Sequence, residues 1–307
     1  MLWLLRVIHV KEKTIHSVLI GHGERLVTIT VPHQKTRFCA GSMQLDQPEA
    51  ELPGGGVIYR LHTHHGEHTS HHVFEQHLSN GLAFRWLCSS RSGLALAAES
   101  IVSIEPLRHN SCRFNRRMLM PAYHRTMVAA LDELKPTPKN LCFIGVGGGV
   151  LPMHLAEVHP KCTMTCVESD DGVLALARQY LGLRGRRMHI LHTDGLHFLR
   201  VHTSLQFDAI FLDASCAPEA EGGLEVQSPP SSLSSRAALL MLRSHLGPEG
   251  VLLINTTGGD DAQRRALREA LASVFDGEPL LLGTDEGNEV IVVRKIRRRA
   301  GCSTGNS

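Results

Sequence analysis

Residues 141–152, with the sequence LCFIGVGGGVLP, decide the fold of this chain. The four apolar residues at the start indicate a short buried strand, and Leu151–Val158 continues as a helix that ends before Pro160. Glycines between a strand and a helix let a ligand approach the backbone closely, and the N-terminus of the helix offers unpaired N–H groups. The stretch therefore predicts a glycine-rich ligand loop, and a tight turn that binds no ligand is the alternative.

Strands and helices alternate on both sides of this loop. Tyr123–Leu134, which precedes it, has apolar residues at helical spacing. The predicted strands after the loop are Cys162–Val167, Met188–Leu191, Phe207–Leu212, Val251–Asn255 and Glu289–Val293. The predicted helices are Asp170–Leu181, Gly195–Val201, Ser234–Leu246 and Ala262–Phe275. This alternation is typical of an α/β fold with a Rossmann-like, doubly wound and mostly parallel sheet.

The first third of the chain has a different pattern. Runs rich in Val, Ile and Thr predict a small β-rich region over residues 1–110, with strands at Leu2–Val10, Ser17–Ile20 and Leu26–Val31. A dense histidine cluster invites a zinc interpretation: His62, His64, His65, His68, His71 and His72. No cysteine pair accompanies it at zinc-finger spacing, so we interpret the stretch as a polar, His-rich loop and expect no metal. The regular domain is predicted over 111–296, with a basic flexible tail over 297–307.

Composition narrows the class of protein. The chain has 307 residues, 42% of them hydrophobic, and its 32 Lys and Arg nearly balance its 30 Asp and Glu. This balance argues against a protein that mainly coats nucleic acid. No apolar run reaches the length of a membrane-spanning helix, and the eight cysteines include no Cys-x-x-Cys pair. We therefore expect a soluble cytoplasmic protein with reduced thiols and no membrane partner.

Acidic residues follow the predicted strands in a pattern that indicates the ligand. Glu168 ends a strand about twenty residues beyond the glycine loop, where a carboxylate accepts hydrogen bonds from both ribose hydroxyls of a nucleoside. That spacing fits both NAD and S-adenosylmethionine (SAM). Asp194, in the adenine position, and Asp213, at the mouth where the methyl group lies, favour SAM. An acid at a strand end can also be a helix cap, which is the alternative for each.

These residues resemble a known family. Four segments look like the spermidine-synthase-like branch of class I SAM-dependent methyltransferases. They are Phe143–Pro152, Val167-Glu168, Asp194-Gly195 and Phe207–Asp213. Over residues 110–295 the chain is particularly similar to the C-terminal domain of the elongation factor 1-alpha lysine and N-terminal methyltransferase.

The resemblance implies a SAM-dependent protein methyltransferase without a metal. The residues expected at the cofactor are Gly145, Gly147, Gly149, Glu168, Asp194 and Gly195. Asp213 is the expected catalytic residue, which would orient the acceptor amine or accept its proton through water. The implied acceptor is the N-terminal amine or a lysine of elongation factor 1-alpha, and a homodimer is compatible with the family. Further pocket candidates are Tyr123, His124, Asn255 and Glu289.

Two alternatives remain open. Spermidine synthases share the fold but transfer an aminopropyl group from decarboxylated SAM, and they bind amines with acids in the glycine loop and after the fourth strand. Gly148 and Cys216 take the places of two such acids here, which removes charge that a polyamine pocket needs. A catalytically silent scaffold of the same fold is the second alternative, and the intact acids argue against it.

Overall fold

The chain divides into two units. The computed structural model describes residues 4–6, 16–22, 25–31, 50–52, 56–66, 69–91, 97–107, 111–215, 228–258, 261–275, 277–284 and 287–296. Unit 1 comprises Met1–Pro121, Val146–Val158 and Asp170–Arg186. Unit 2 comprises Ala122–Gly145, His159–Ser169 and Arg187–Ser307. The predicted tail over 297–307 and Cys216 lie outside the described residues.

Unit 1 contains two antiparallel sheets. The three-stranded sheet consists of β1 (Leu4–Arg6), β2 (His16–His22) and β3 (Arg25–Val31). In the six-stranded sheet each strand pairs with the next one along the chain: β4 (Ala50–Leu52), β5 (Gly56–His65), β6 (Thr69–His77), β7 (Ala83–Arg91), β8 (Ala97–Pro106) and β9 (Cys112–Phe114). This β-rich N-terminal part agrees with the predicted fold class.

The helices are distributed over both units. In the described part of the chain they are α1 (Ala122–Leu134), α2 (Val150–Val158), α3 (Asp171–Tyr180), α4 (Gly195–Val201), α5 (Ser231–Ser234), α6 (Arg236–Ser244) and α7 (Asp261–Phe275). Of these, α2 and α3 belong to unit 1 and the others to unit 2. None of these helices has both the length and the apolar character needed to cross a membrane.

The histidine-rich stretch forms two paired strands, so the prediction of a loop is wrong for its described residues. β5 and β6 place Thr63 opposite His72. The buried His72 ring has polar partners, because its Nδ1 lies 3.0 Å from Thr63 Oγ1 and its Nε2 lies 2.9 Å from Ser90 Oγ. Such hydrogen bonds let a polar ring occupy the interior of a sheet. His68 lies outside the described residues.

A buried ion pair joins the six-stranded sheet to the C-terminal end of α3 within unit 1. Arg85 Nε donates to Glu75 Oε2 over 2.7 Å, and both side chains are 7% exposed. Arg85 Nη1 also donates to the carbonyl of Tyr180 over 2.9 Å. Burial opposes the ionisation of Glu75, but hydrogen bonds from His77 and Arg85 hold its pKa below the ordinary value. The pair therefore stays ionised and fixes α3 on the sheet.

Unit 2 is built on a seven-stranded sheet with the order β12-β11-β10-β13-β14-β16-β15. Its strands are β10 (Asn140–Ile144), β11 (Thr163–Glu168), β12 (Met188–His192), β13 (Phe207–Leu212), β14 (Leu246–Thr256), β15 (Leu280–Gly283) and β16 (Glu289–Arg294). The strands β10 to β14 pair in parallel, and β16 is antiparallel to both β14 and β15. The predicted α/β fold with a mostly parallel sheet is confirmed.

The core of unit 2 lies between this sheet and α4, α6 and α7. Phe198 of α4, Leu242 of α6 and Leu271 of α7 are completely buried, as are the strand residues Ile210 and Leu252. On α6 the buried side chains recur at helical spacing, so one face packs on the sheet while the other meets solvent. The sheet is therefore a rigid support for the loops at its carboxyl edge.

One predicted helix, Ser234–Leu246, differs from the structure. It is divided at Ser235, whose hydroxyl accepts the Ala238 N–H over 3.3 Å and caps α6. The strand β14 then begins at Leu246 and includes Gly247-Pro248, which directly follow the predicted end of the helix. The register of β13 with β14 is irregular between Phe207 and Ala209, which accommodates this pair.

Candidate active site

Four predicted site residues lie in a row at one edge of the unit 2 sheet. The carboxyl ends of β12, β11, β10 and β13 lead to Asp194, Glu168, Gly145 and Asp213, in that spatial order. Backbone hydrogen bonds hold neighbouring ends together, as where Gly145 N–H donates to Val167 O over 2.9 Å. Open α/β sheets bind their ligands beside this edge.

Two glycines at this edge are required by packing. Gly145 has a φ of 84°, and a Cβ built on it would lie 2.4 Å from Asp213 O. A Cβ on Gly195 would lie 2.6 Å from Ile144 Cγ2. A side chain would have to displace the backbone at Asp213 in the first case and the Ile144 side chain in the second, so packing favours glycine at both positions whether or not a ligand binds.

The carboxylate of Asp213 accepts two hydrogen bonds and lies close to a histidine ring. Asn255 Nδ2 donates to Oδ1 over 2.8 Å, and the hydroxyl of Tyr123 donates to Oδ2 over 3.1 Å. His124 Nε2 lies 3.4 Å from the same Oδ2. The Asp213 side chain is 19% exposed, so it is fixed in orientation and still reached by solvent. A carboxylate with this geometry can bind an ammonium group or accept a proton.

The ring of His124 has one nitrogen with no hydrogen-bond partner. Nε2 faces Asp213, whereas the buried Nδ1 has none among the described residues. The Tyr123 ring lies against it, with 4.3 Å between the ring centroids. The predicted pocket candidates Tyr123, His124 and Asn255 are thus brought together around Asp213.

Glu289, the fourth predicted pocket candidate, is engaged elsewhere. Both of its carboxylate oxygens accept from Arg268 Nη2, over 3.0 and 2.9 Å. The preceding residue takes part in the site instead, because Asn288 Nδ2 donates to Asn255 Oδ1 over 2.9 Å. The sequence pair Asn288-Glu289 marks the place, but it does not reveal which of the two side chains contacts Asn255.

Glu168 and Asp194 differ in their local roles. Glu168 Oε1 accepts the Ser169 N–H over 2.9 Å at the end of β11, and the residue is half-buried. Asp194 is the N-cap of α4, since its Oδ1 accepts the His197 N–H over 2.8 Å. Helix capping therefore accounts for one carboxylate oxygen of Asp194 and does not account for the second.

Gly147 and Gly149 follow along the chain and belong to unit 1. Their φ values are 52° and 75°, in the left-handed region that favours glycine. A Cβ on Gly149 would also lie 2.5 Å from Leu183 Cδ1, so a side chain there would have to displace that leucine. A role for either residue in binding a cofactor stays a prediction from the sequence.

The cysteines of β10 and β11 are not expected to take part in thiol chemistry. Cys142 and Cys166 are the cysteines of β10 and β11, and both are buried. Burial raises the pKa values of both thiols well above the ordinary value, so they stay protonated and unreactive. Neither of these two cysteines is therefore a candidate nucleophile.

Comparison with known proteins adds to this geometry. No protein-family model matches the chain. The eEF1A lysine and N-terminal methyltransferase of Bos taurus is 30% identical over 170 residues, which are 52% of this chain and 24% of the relative. The polyamine aminopropyltransferase of Neisseria meningitidis is 26% identical over 202 residues, which are 65% of this chain and 70% of that relative. The chain therefore spans about a quarter of the methyltransferase that it matches.

A solved structure decides the fold. Human methyltransferase-like protein 13 in complex with SAH matches 60% of this chain and 86% of its own, with a TM-score of 0.53 and 25% identity. The chain has the class I methyltransferase fold. The predicted resemblance to spermidine-synthase-like class I methyltransferases is confirmed by these homologues and this neighbour. In this fold the row from Asp194 to Asp213 occupies the ligand edge of the sheet.

Proposed function

We propose that this chain is a SAM-dependent methyltransferase that acts on an amine of a protein. The observation that carries the proposal is the Asp213 carboxylate, fixed by Asn255 and Tyr123 at the same sheet edge as Glu168. The relative from Bos taurus and the human neighbour are both methyltransferases by name, and the neighbour holds SAH. Both findings support SAM as the cofactor.

The residues of the edge fit SAM chemically. Glu168 offers a half-buried carboxylate, which suits the two ribose hydroxyls, and Asp194 offers an acceptor to the adenine amino group. Gly145 and Gly195 let the backbone approach the cofactor, and Gly147 and Gly149 keep the same role as predictions from the sequence. When bound, SAM supplies a methyl group on a good leaving group. The chain therefore has to bind SAM and the acceptor, align them and exclude water from the reacting atoms.

Asp213 would act on the acceptor. An amine attacks only in its neutral form, so a bound ammonium group has to lose a proton before or during transfer. Asp213 can hold that ammonium group by a charge-assisted hydrogen bond and accept its proton directly or through water. Asn255 and Tyr123 keep the carboxylate turned toward the acceptor, since each donates to a different oxygen.

The α-amino group of elongation factor 1-alpha is the proposed acceptor, and a lysine of the same protein is the second. The proposal comes from the name of the Bos taurus relative, of which this chain spans 24%. The near balance of charge and the cysteine pattern support a cytoplasmic place without nucleic acid as the main partner. A homodimer is compatible with the proposal.

Intact-protein mass spectrometry tests the reaction. Unmethylated elongation factor 1-alpha is incubated with SAM and the chain, and increments of one methyl group are mapped by peptide analysis. Asp213→Asn is expected to lower the rate by at least about 100-fold, because a positioned acid–base group contributes that much. Asp208→Asn is the matched control on β13, since Asp208 instead accepts the Lys139 N–H over 2.7 Å. Equal rates for Asp213→Asn and wild type would exclude the catalytic role.

Calorimetry with SAM tests the cofactor separately. Glu168→Ala is expected to abolish measurable binding while the melting temperature stays close to that of wild type. Glu133→Ala, at an exposed position of α1, is the control and is expected to bind normally. Unchanged affinity of Glu168→Ala would remove the cofactor assignment, and a wild-type chain that binds no adenosyl ligand would favour the silent scaffold.

Aminopropyl transfer is the second candidate, supported by the 26% identity to the aminopropyltransferase of Neisseria meningitidis. A Cβ on Gly148, the position matched to an acid of those enzymes, would lie 2.7 Å from both Leu181 Cδ2 and Ser100 Cβ. An acidic side chain does not fit there, which favours methyl transfer. Incubation with putrescine and decarboxylated SAM tests the alternative, and spermidine in the product would establish it.

A further inference from the structure

The part of the glycine loop that belongs to unit 1, Val146–Gly149, is held by a side chain from the six-stranded sheet. Gly148 N–H donates to Ser100 Oγ over 2.8 Å, and Ser100, on β8, is 7% exposed. A buried backbone N–H needs an acceptor, and an amide just before a helix finds none within that helix. Ser100 provides this acceptor although it lies 48 residues earlier in the chain.

Two leucines after α3 complete the support of the loop. A Cβ on Gly148 would lie 2.7 Å from Leu181 Cδ2, and one on Gly149 would lie 2.5 Å from Leu183 Cδ1. Both leucines are buried, at 0% and 2% exposure. The loop backbone thus rests directly on side chains, and a peptide packed this closely has little room to turn.

We propose that Ser100 is a positioning residue for SAM. Its hydroxyl fixes the peptide group of Gly148, and through it the conformation in which the loop receives the cofactor. The inference rests on the proposed function. A binding loop that is already fixed loses less conformational entropy when the ligand binds, so the bond to Ser100 should raise the affinity for SAM. Without the acceptor at Ser100, the buried Gly148 amide loses its partner, which favours loop conformations in which water reaches the amide.

Three measurements on the whole chain test this role. Amide hydrogen exchange of Gly148, followed by NMR on glycine-labelled protein, reports the bond without any ligand. Calorimetry with SAM and the rate at saturating SAM report its consequence. For Ser100→Ala we expect exchange at least about tenfold faster and a SAM Kd about tenfold higher, with kcat near that of wild type. Ser100→Cys keeps the shape of the side chain with a larger and weaker acceptor and is expected to be intermediate.

Ser103→Ala is the matched control. Ser103 lies on the same strand and is 4% exposed, so its substitution removes an equally buried hydroxyl and retains the bond to Gly148. We expect exchange and Kd within twofold of wild type. Unchanged exchange in Ser100→Ala and Ser100→Cys would show that the bond is absent, and faster exchange with unchanged Kd would overturn the positioning role. If wild type binds no SAM, the proposed function fails, and the exchange experiment still decides whether Ser100 holds Gly148.

Discussion

Asp170 gives a prediction that can be worked out in detail. It is the N-cap of α3, and its Oδ1 accepts the Val173 N–H over 3.0 Å. Its Oδ2 lies 2.9 Å from Nε2 of the buried His71 on β6. The hydrogen bond from His71 lowers the pKa of Asp170 from 3.8 to about 2, against the opposing effect of burial. We expect Asp170→Asn to destabilise the chain, because asparagine keeps the cap and loses the charge.

The magnitude follows from the pKa of Asp170. A fall from 3.8 to about 2 corresponds to about 2.4 kcal/mol of unfolding free energy. The side chain is 40% exposed, so solvent screens the interaction, and we expect a loss of about 1 kcal/mol. Because the folded pKa is the lower one, the stabilisation is complete above 3.8 and disappears as the pH falls through 2. At pH 3 about half of it remains.

Urea denaturation at pH 7 and pH 3 measures this contribution. Asp194→Asn is the matched control, since Asp194 caps α4 through a bond of 2.8 Å from His197 N–H. We expect that substitution to change the unfolding free energy by less than about 0.5 kcal/mol, since asparagine caps as well as aspartate. The interpretation is refuted if Asp170→Asn unfolds like Asp194→Asn at pH 7. A loss of unfolding free energy that is larger at pH 3 than at pH 7 would refute the predicted direction of the pH dependence.

Two further substitutions test the packing of unit 2. Gly145→Ala is expected to cost more than about 3 kcal/mol, because its φ is 84° and its Cβ would lie 2.4 Å from Asp213 O. His245→Ala is expected to cost about 3 kcal/mol, because the buried ring lies 2.9 Å from Leu199 O and 3.0 Å from Leu205 O, so its loss leaves a cavity and removes a hydrogen bond to a backbone carbonyl. Chemical denaturation at pH 7 measures both losses.

Each of these two substitutions has a control on the same unit. Gly283→Ala adds a Cβ with nothing within 4 Å, so its cost should stay below about 1 kcal/mol. His197→Ala truncates an exposed ring on α4 and should be close to neutral. A Gly145→Ala chain as stable as Gly283→Ala would show that the strand end can rearrange. A neutral His245→Ala would mean that water replaces the ring.

The regular part of the chain could be predicted because local signals agree there. Gly195–Val201 and Phe207–Leu212 have the predicted bounds, since each apolar run is limited by turn residues or charged residues. The strand β15, Leu280–Gly283, was not predicted, because four residues give too short a pattern. In β5 and β6 the many polar histidines mask the alternating pattern that would predict strands. Their rings are stabilised by partners such as Ser90, which lies 18 residues from His72 and cannot be recognised locally.

The site was predictable to a similar extent. The positions of Glu168, Asp194 and Asp213 follow from strand ends, because the carboxyl ends of parallel strands share one edge. The donors around Asp213 were named as candidates, but Asn288 was missed in favour of Glu289. Which of two neighbouring side chains faces a site depends on the pairing of β16 with β14, and Arg268 takes Glu289 away from it. Such a pairing is not contained in the local sequence.

Long-range contacts within unit 1 explain why its N-terminal strands matter for the loop. Three hydrogen bonds span 48, 99 and 95 residues, namely Ser100–Gly148, His71–Asp170 and Arg85–Tyr180. Closing such long loops costs chain entropy, which the burial of β6, β7 and β8 has to offset. The glycine loop and both ends of α3 therefore depend on one sheet. A substitution that destabilises this sheet should weaken all three hydrogen bonds together. Cofactor affinity should then follow the stability of the six-stranded sheet, although that sheet contains none of the residues predicted to contact the cofactor directly.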